Sequence, residues 1–262
     1  LPVAAPGGGA NVVISEAKAM RDMGVDAKIF NLNEHRSGFE VAYPQPSVPV
    51  VYGSRDDVAV WATRYDAVVA THNESVDWMS ALPGIDGSPV RAYYVQGFEP
   101  LMYEVDSPEY RRALDSYGLY PDLVRFAKTE WTQEMLKRKL DLPCEVVWPS
   151  YEPDTFCPRP RSSGSWPQRK LRVAAMIRPS APYRAPELTM EILQKAKRRY
   201  RRDVDIWIFG VDPNKPGFED LPQDFAWYSA GILTPDQVAN FLNEVDIFLD
   251  LSEHQAMGLT AM

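Results

Sequence analysis

Cysteine is scarce in this chain: Cys144 and Cys157 are the only two in 262 residues. They lie outside CxxC spacing, which excludes a disulfide framework and reads as two reduced thiols. Histidine is nearly as rare, with three in all, so a zinc site has few candidate ligands. No apolar run is long enough to span a bilayer. The opening LPVAAPGGGA lacks both the charged and the long apolar region of a secretory signal. Positive charge is also short, since 28 Lys and Arg stand against 36 Asp and Glu for a net −8. A dedicated nucleic-acid binder needs a dominant cationic surface, so no nucleic-acid partner is expected. The expectation is a cytoplasmic protein, soluble or held peripherally at the inner face of the membrane.

Apolar residues are plentiful at 45%, enough for a real core. Their spacing alternates between two periods. Residues 10–23 read as a helix with Val13, Ala17 and Met20 on one face and Gly24 just past its end. Val25–Leu32 alternates as a strand does. Asp66–Thr71 is a short apolar run that reads as a buried strand, and Glu74–Ala81 looks helical. Val90–Val95 and Val124–Thr129 are strand-like, with a helix over 130–140 and a strand at Cys144–Trp148. Strands alternating with helices predict βαβ units and a parallel, doubly wound sheet.

The composition changes near residue 153. PDTFCPRPRSSGSWPQRK is rich in proline and serine, with little apolar periodicity, and reads as an interdomain linker over 153–170. It separates a first domain at 1–152 from a second at 171–262. The second series runs strand Leu171–Ile177, helix Pro186–Tyr200, strand Val204–Phe209, helix Pro235–Glu244 and strand Asp246–Leu251. Leu188, Ile192, Ala196 and Tyr200 predict the apolar face of its first helix. Thr234 followed by Pro235 marks the start of its second. The fold class expected is α/β, with two Rossmann-like doubly wound domains. Both read as incomplete, the second more so.

Three segments carry a family resemblance in the second half. They are VAAMIRPSAPYRAPELTMEIL, AGILTPDQVANFLNEVDIFLDLS and SEHQAMGLTAM. In that order they resemble the donor domain of family-4 retaining glycosyltransferases of the GT-B fold. The first half is similar to the acceptor domain of the same group. The matching strings are PGGGANVVISEAKAMRDMGVDAKIF, FAKTEWTQEMLKRKL, VVWPSYEPDTFCPRP and above all YYVQGFEPLMYE. The last resembles a segment of the rhamnosyltransferase-like branch, although Gly97 stands where an Asp is usual.

The resemblance implies transfer of a hexosyl or deoxyhexosyl group from a nucleoside-diphosphate sugar to a glycan or lipid-linked glycan. Stereochemistry is retained, and neither metal nor cofactor is expected. A diphosphate leaving group needs fixed positive charge or oriented N–H donors. Arg178 follows a strand end and Arg184 precedes a helix, where doubly wound sheets bind ligands, and arginine can fork phosphate oxygens. Two solvated loop arginines are the alternative. Gly258, between Met257 and Leu259, opens a helix whose N–H groups can meet phosphate or sugar oxygens. The family's catalytic glutamate aligns with Gln255, which can hydrogen-bond a hydroxyl but carries no charge. The family's second, ribose-binding glutamate would fall just after Met262, so this piece is expected to be inactive alone.

In the first half, Gly8 and Gly9 form part of a glycine run before a helix. The resemblance places them against the donor diphosphate; an ordinary flexible loop is the other reading. The run does not fit GxGxxG, because Val12 stands at its last glycine position. His72 follows a strand at its carboxyl end and is expected near the reacting sugar as a positioning group. Asn73 and Glu99 are the acceptor-side candidates, with a turn or capping role equally open to Glu99. The basic run Lys195–Arg202 reads as a solvated helix end, with contact to anionic lipid as the alternative. Two other readings stand beside transfer: a non-catalytic sugar-nucleotide or glycan module, which Gln255 suggests, and a structural α/β protein.

Overall fold

The computed structural model describes residues 1–82, 89–161, 164, 166–254, 257–258 and 260. The chain forms two compact units, Leu1–Tyr151 and Glu152–Met262.

The N-terminal unit runs α1 (Gly8–Asp22), β1 (Ile29–Leu32), α2 (Arg36–Ala42), β2 (Val50–Gly53), α3 (Asp57–Ala62), β3 (Ala67–Ala70), α4 (Asn73–Asp77), β4 (Val90–Val95), α5 (Pro108–Ser116), β5 (Val124–Ala127), α6 (Glu130–Leu140) and β6 (Glu145–Val146). Gly24 closes α1 at φ +91°, while its N–H and that of Val25 bond back to Arg21 and Met20 carbonyls. Only glycine takes that conformation without strain, so the chain turns there toward β1. The extended segment starts at Ile29, not at Val25. β1 and β2 form one parallel pair, and β3-β4-β5-β6 form a second, wholly parallel sheet. Val76, Met79, Tyr93, Val95, Tyr117 and Leu136 are its deepest core residues.

Two expectations need correcting here. β3 is not a fully buried strand. It is the edge of its sheet among the described residues, which leaves Ala67 and Val69 exposed. The helix expected over Glu74–Ala81 is shorter, ending at Asp77 and continuing as turns.

The C-terminal unit runs β7 (Leu171–Met176), α7 (Pro186–Tyr200), β8 (Val204–Phe209), β9 (Tyr228–Ser229), α8 (Pro235–Asn243) and β10 (Ile247–Leu249). Its sheet is parallel in the order β10-β7-β8-β9. The chain winds outward from β7 through β8 and β9, then returns to the other side of β7. That reversal creates a topological switch point between β10 and β7. Thr234 and Gln237 make a reciprocal capping box at the start of α8.

α7 buries a different face from the one its apolar stripe predicts. Thr189, Met190 and Leu193 are enclosed, whereas Leu188 and Tyr200 are exposed. Thr189 tolerates burial because its hydroxyl donates to the Ala185 carbonyl (2.7 Å).

Described residues of the proline-rich stretch at 153–170 bond to the rest of the C-terminal unit. Arg159 donates to Asn240 and Asn243, while Arg161 and Arg169 both reach Asp246. Among the described residues no helix is long and apolar enough to cross a membrane.

Candidate functional site

In the N-terminal unit the candidates gather where β3 and β4 end. His72 caps α4. Its Nδ1 accepts from the Glu74 N–H (3.4 Å), and Ser75 Oγ accepts the N–H groups of Thr71 and His72. A ring nitrogen that accepts carries no proton, so the imidazole hydrogen lies on Nε2. That atom stands 3.6 Å from Glu99 Oε2. Both nitrogens therefore turn toward protein groups.

Glu99 is 2% exposed. Its Oε2 accepts from the Asn73 N–H (2.8 Å) and Asn73 Nδ2 (2.6 Å), and its Oε1 from the Tyr93 hydroxyl (2.7 Å). The Tyr117 hydroxyl accepts from the Glu99 N–H (2.9 Å). Burial, reinforced by the Glu99 charge, pushes the Tyr93 phenol well above its ordinary pKa, so it remains a donor. Such a carboxylate caps a helix from beneath, with a partner on each oxygen. Of the two roles open to Glu99, these bonds are those of a cap. Asn73 is itself fully enclosed.

Gly8 and Gly9 open α1. Gly7, before them, supplies no side-chain cap. A Cβ added to Gly8 would meet nothing within 4 Å, but one on Gly9 would come 3.4 Å from both Gln96 Nε2 and Gln96 Oε1. Gln96 directly follows β4, and its Nε2 donates to the Thr71 carbonyl (3.2 Å). It thus joins the α1 turn to the end of β3. It lies within YYVQGFEPLMYE, three residues before Glu99. Its place one residue past a strand's carboxyl end was the signal available.

In the C-terminal unit the candidates flank the switch point. Arg184, Thr189, Met176 and the segment Leu249–Ser252 line a cavity of about 10 Å³, room for roughly one water. Arg178 and Arg184 are linked by successive turns, since the Ala181 N–H bonds to the Arg178 carbonyl and the Arg184 N–H to the Ala181 carbonyl. The Arg184 guanidinium lies 5.4 Å from the Tyr183 ring centroid. The N–H groups of Glu253 and His254 point to the Tyr183 carbonyl, which ties the segment after β10 to the turn bearing Arg184. Asp250 Oδ1 accepts from Ser252 N–H and Oγ, tightening that segment. Met257 and Gly258 are half-buried. Gln255 and Leu259 lie outside the described residues.

A broader depression of about 780 Å³ sits between α6 and β6, lined by residues such as Trp131, Glu134, Arg138 and Trp148. It shares no residue with the cluster around Gln96. Among the described residues, no group of three or more His, Cys, Asp or Glu is placed to hold a metal ion.

No protein-family model matches the chain, and no curated protein does. Among solved structures, it is similar to a Listeria monocytogenes protein described as a UDP-N-acetylglucosamine 2-epimerase. The two are 9% identical at a TM-score of 0.55, over 95% of this chain and 72% of that one. At that identity the likeness shows the fold alone: Rossmann-like α/β with parallel sheets, of the GT-B-like kind.

Proposed function

We propose that the protein binds a nucleotide sugar and transfers its hexosyl or deoxyhexosyl group to a glycan or lipid-linked glycan. One observation carries the reading. Arg184 lies at a switch point of a parallel sheet, fixed by turns to Arg178 and by Tyr183 to the segment after β10. Crevices of that kind take ligands at the carboxyl ends of strands. A guanidinium there suits a diphosphate, because negative charge grows on the leaving group as the sugar departs. The cavity itself holds no more than about a water, so a phosphate would seat at its mouth. The fold shared with a protein described as acting on a UDP-sugar is compatible with the same donor class.

Calorimetric titration tests this with UDP, dTDP and their glucose conjugates. Binding is expected, with Arg184→Ala weakening it about 10- to 100-fold. Absence of affinity for every one of these nucleotides would remove the reading. The likeness to the epimerase favours a second one, isomerisation of the nucleotide sugar. Product analysis separates them. A transferase releases nucleoside diphosphate in step with glycosylated acceptor, whereas an epimerase returns an isomeric nucleotide sugar without an acceptor. Binding with no turnover would favour the non-catalytic module that Gln255 suggests.

A further inference from the structure

The depression between α6 and β6 lies within the N-terminal unit, and solvent reaches it. At about 780 Å³ it has room for several side chains of a ligand. Trp131 and Trp148 line it with 43% and 57% of their surface exposed. Neither ring stacks on another ring or on a cation among the described residues. Two large rings left wet around one hollow mark a surface for a partner.

The charge of the lining says which partner. Glu130, Glu134 and Arg138 stand four residues apart, on one face of α6. Arg138 donates to Glu134, so its charge is answered within the helix. Glu130 and Glu145 line the same hollow, and no described group bonds either carboxylate. Exposed carboxylates beside indole faces attract a cation by both kinds of group. A neutral sugar would leave that surplus charge unanswered.

Backbone geometry adds an orientation. β6 is an edge of its sheet among the described residues. The Val147 N–H bonds to the Ala127 carbonyl on β5. Successive residues of a strand turn their backbone groups to opposite sides, so Val146 turns its N–H and C=O outward. Cys144 faces the same way, and its carbonyl already accepts from Gln133 Nε2 (2.6 Å). Val146 is the next outward residue, and no described group takes up its N–H or C=O. An extended chain can pair with an edge of that kind.

We infer that this groove docks an extended, arginine- or lysine-bearing segment of a partner protein. The segment's backbone pairs with Val146, and its cations meet the Trp131 and Trp148 rings and the Glu130 and Glu145 carboxylates. The inference concerns the N-terminal unit alone and stands apart from the nucleotide-sugar reading.

Calorimetry with the whole chain tests it, using a blocked Arg-Val-Arg-Val-Arg-Val hexapeptide beside a blocked Glu-Val-Glu-Val-Glu-Val one. The basic peptide should bind, more weakly as salt rises, and the acidic one should not. Trp148→Ala and Glu145→Gln should each weaken binding about two- to fivefold, and Glu130→Gln with Glu145→Gln about tenfold. These side chains are exposed, so their replacement spares the core. Methylating the peptide's valine nitrogens should weaken binding as well, because pairing with the edge needs those N–H groups. Glu219→Gln, an exposed acid of the other unit, should change nothing. No binding of the basic peptide overturns the inference. So does an equal loss through Glu219→Gln, or none through the groove variants, since attraction to the net negative chain would then explain the binding. Maltohexaose binding that Trp148→Ala abolishes, without affinity for the basic peptide, overturns it in favour of a glycan surface.

Discussion

The two units place their candidate groups at the same architectural address and equip it with opposite chemistry. Each uses the carboxyl ends of parallel strands. In the N-terminal unit the strands β3 to β6 follow one another in order, so that sheet offers no reversal. Its cluster is assembled instead from two adjacent strand ends and the first turn of α1, around a carboxylate closed in by Asn73 and Tyr93. The C-terminal unit reverses direction at β7, and the crevice this leaves is bordered by a guanidinium. The first cluster centres on a buried acid, whereas the second is bordered by a half-buried arginine. The difference teaches that the first site is built by its supports and the second by topology. Substitution of Glu99 should therefore damage stability, and substitution of Arg184 should damage binding.

Glu99→Ala should strain that contrast most. It removes the acceptor for the Asn73 N–H, its side-chain amide and the Tyr93 hydroxyl at once. Buried donors left unmet cost roughly 1–3 kcal/mol each before relaxation, so a loss of about 3 kcal/mol is expected. Urea unfolding followed by hydrogen exchange should place that loss in residues 1–151. A loss spread evenly over both units would contradict the view that the network belongs to one.

Asp246→Asn is the counterpart in the C-terminal unit. Burial opposes the charge on Asp246, but donation from Arg169, the Arg172 N–H and Arg161 outweighs it and holds the carboxyl below its usual range. A depressed carboxylate contributes stability above its unfolded pKa and loses it as pH falls through the folded one. The variant should therefore be about 2 kcal/mol less stable at pH 7. The gap should close below pH about 4, as thermal melts across pH would show. A gap that widens in acid would reverse the sign and refute the assignment.

Gly210→Ala probes the sheet beside the switch point. Gly210 follows β8 at φ +85°, and a Cβ there would stand 2.9 Å from Met176 Cγ and 3.3 Å from the Ile177 carbonyl. Strain of this kind costs about 1–2 kcal/mol. Because Met176 also lines the cavity by Arg184, nucleotide affinity should fall along with stability.

Much of this was legible before any coordinates. Helix Pro186–Tyr200 and strand Val204–Phe209 stand where periodicity puts them. Each is long enough for its period to show and ends in clear stop signals. The region from residue 33 to 62 gave no such reading. α2, β2 and α3 there have 7, 4 and 6 residues, too few for a period of 3.6 or 2 to declare itself. Site residues split in the same way. His72 and Arg184 stand out as candidates because each sits at an element boundary, which sequence marks. The burial of Glu99 is not marked in this way, because it is set by Tyr93 and Tyr117, and Tyr117 lies 18 residues away on another element. Gln96 escaped for a similar reason. Only the chain-distant approach of Gly9 and Thr71 makes its amide conspicuous.

The smallest effect is also the one that reads both units in a single experiment. Each unit holds one cysteine. Burial pushes the Cys144 thiol up to about 11, with Arg125 opposing in part. At pH 8 its thiolate fraction is then on the order of 0.001, and the atom is covered as well. Cys157 is half-buried, on the stretch whose carbonyl accepts from Asn243. Iodoacetamide at pH 8 should label Cys157 in the native protein, leaving Cys144 to wait for opening of the N-terminal unit. Labelling of Cys144 then tracks the open population, so a loss of about 3 kcal/mol through Glu99→Ala should speed it about 100-fold. Asp246→Asn should leave that rate alone. If Asp246→Asn accelerates Cys144 as strongly as Glu99→Ala does, the units open as one, and stability in this protein is not divided as their separate cores imply.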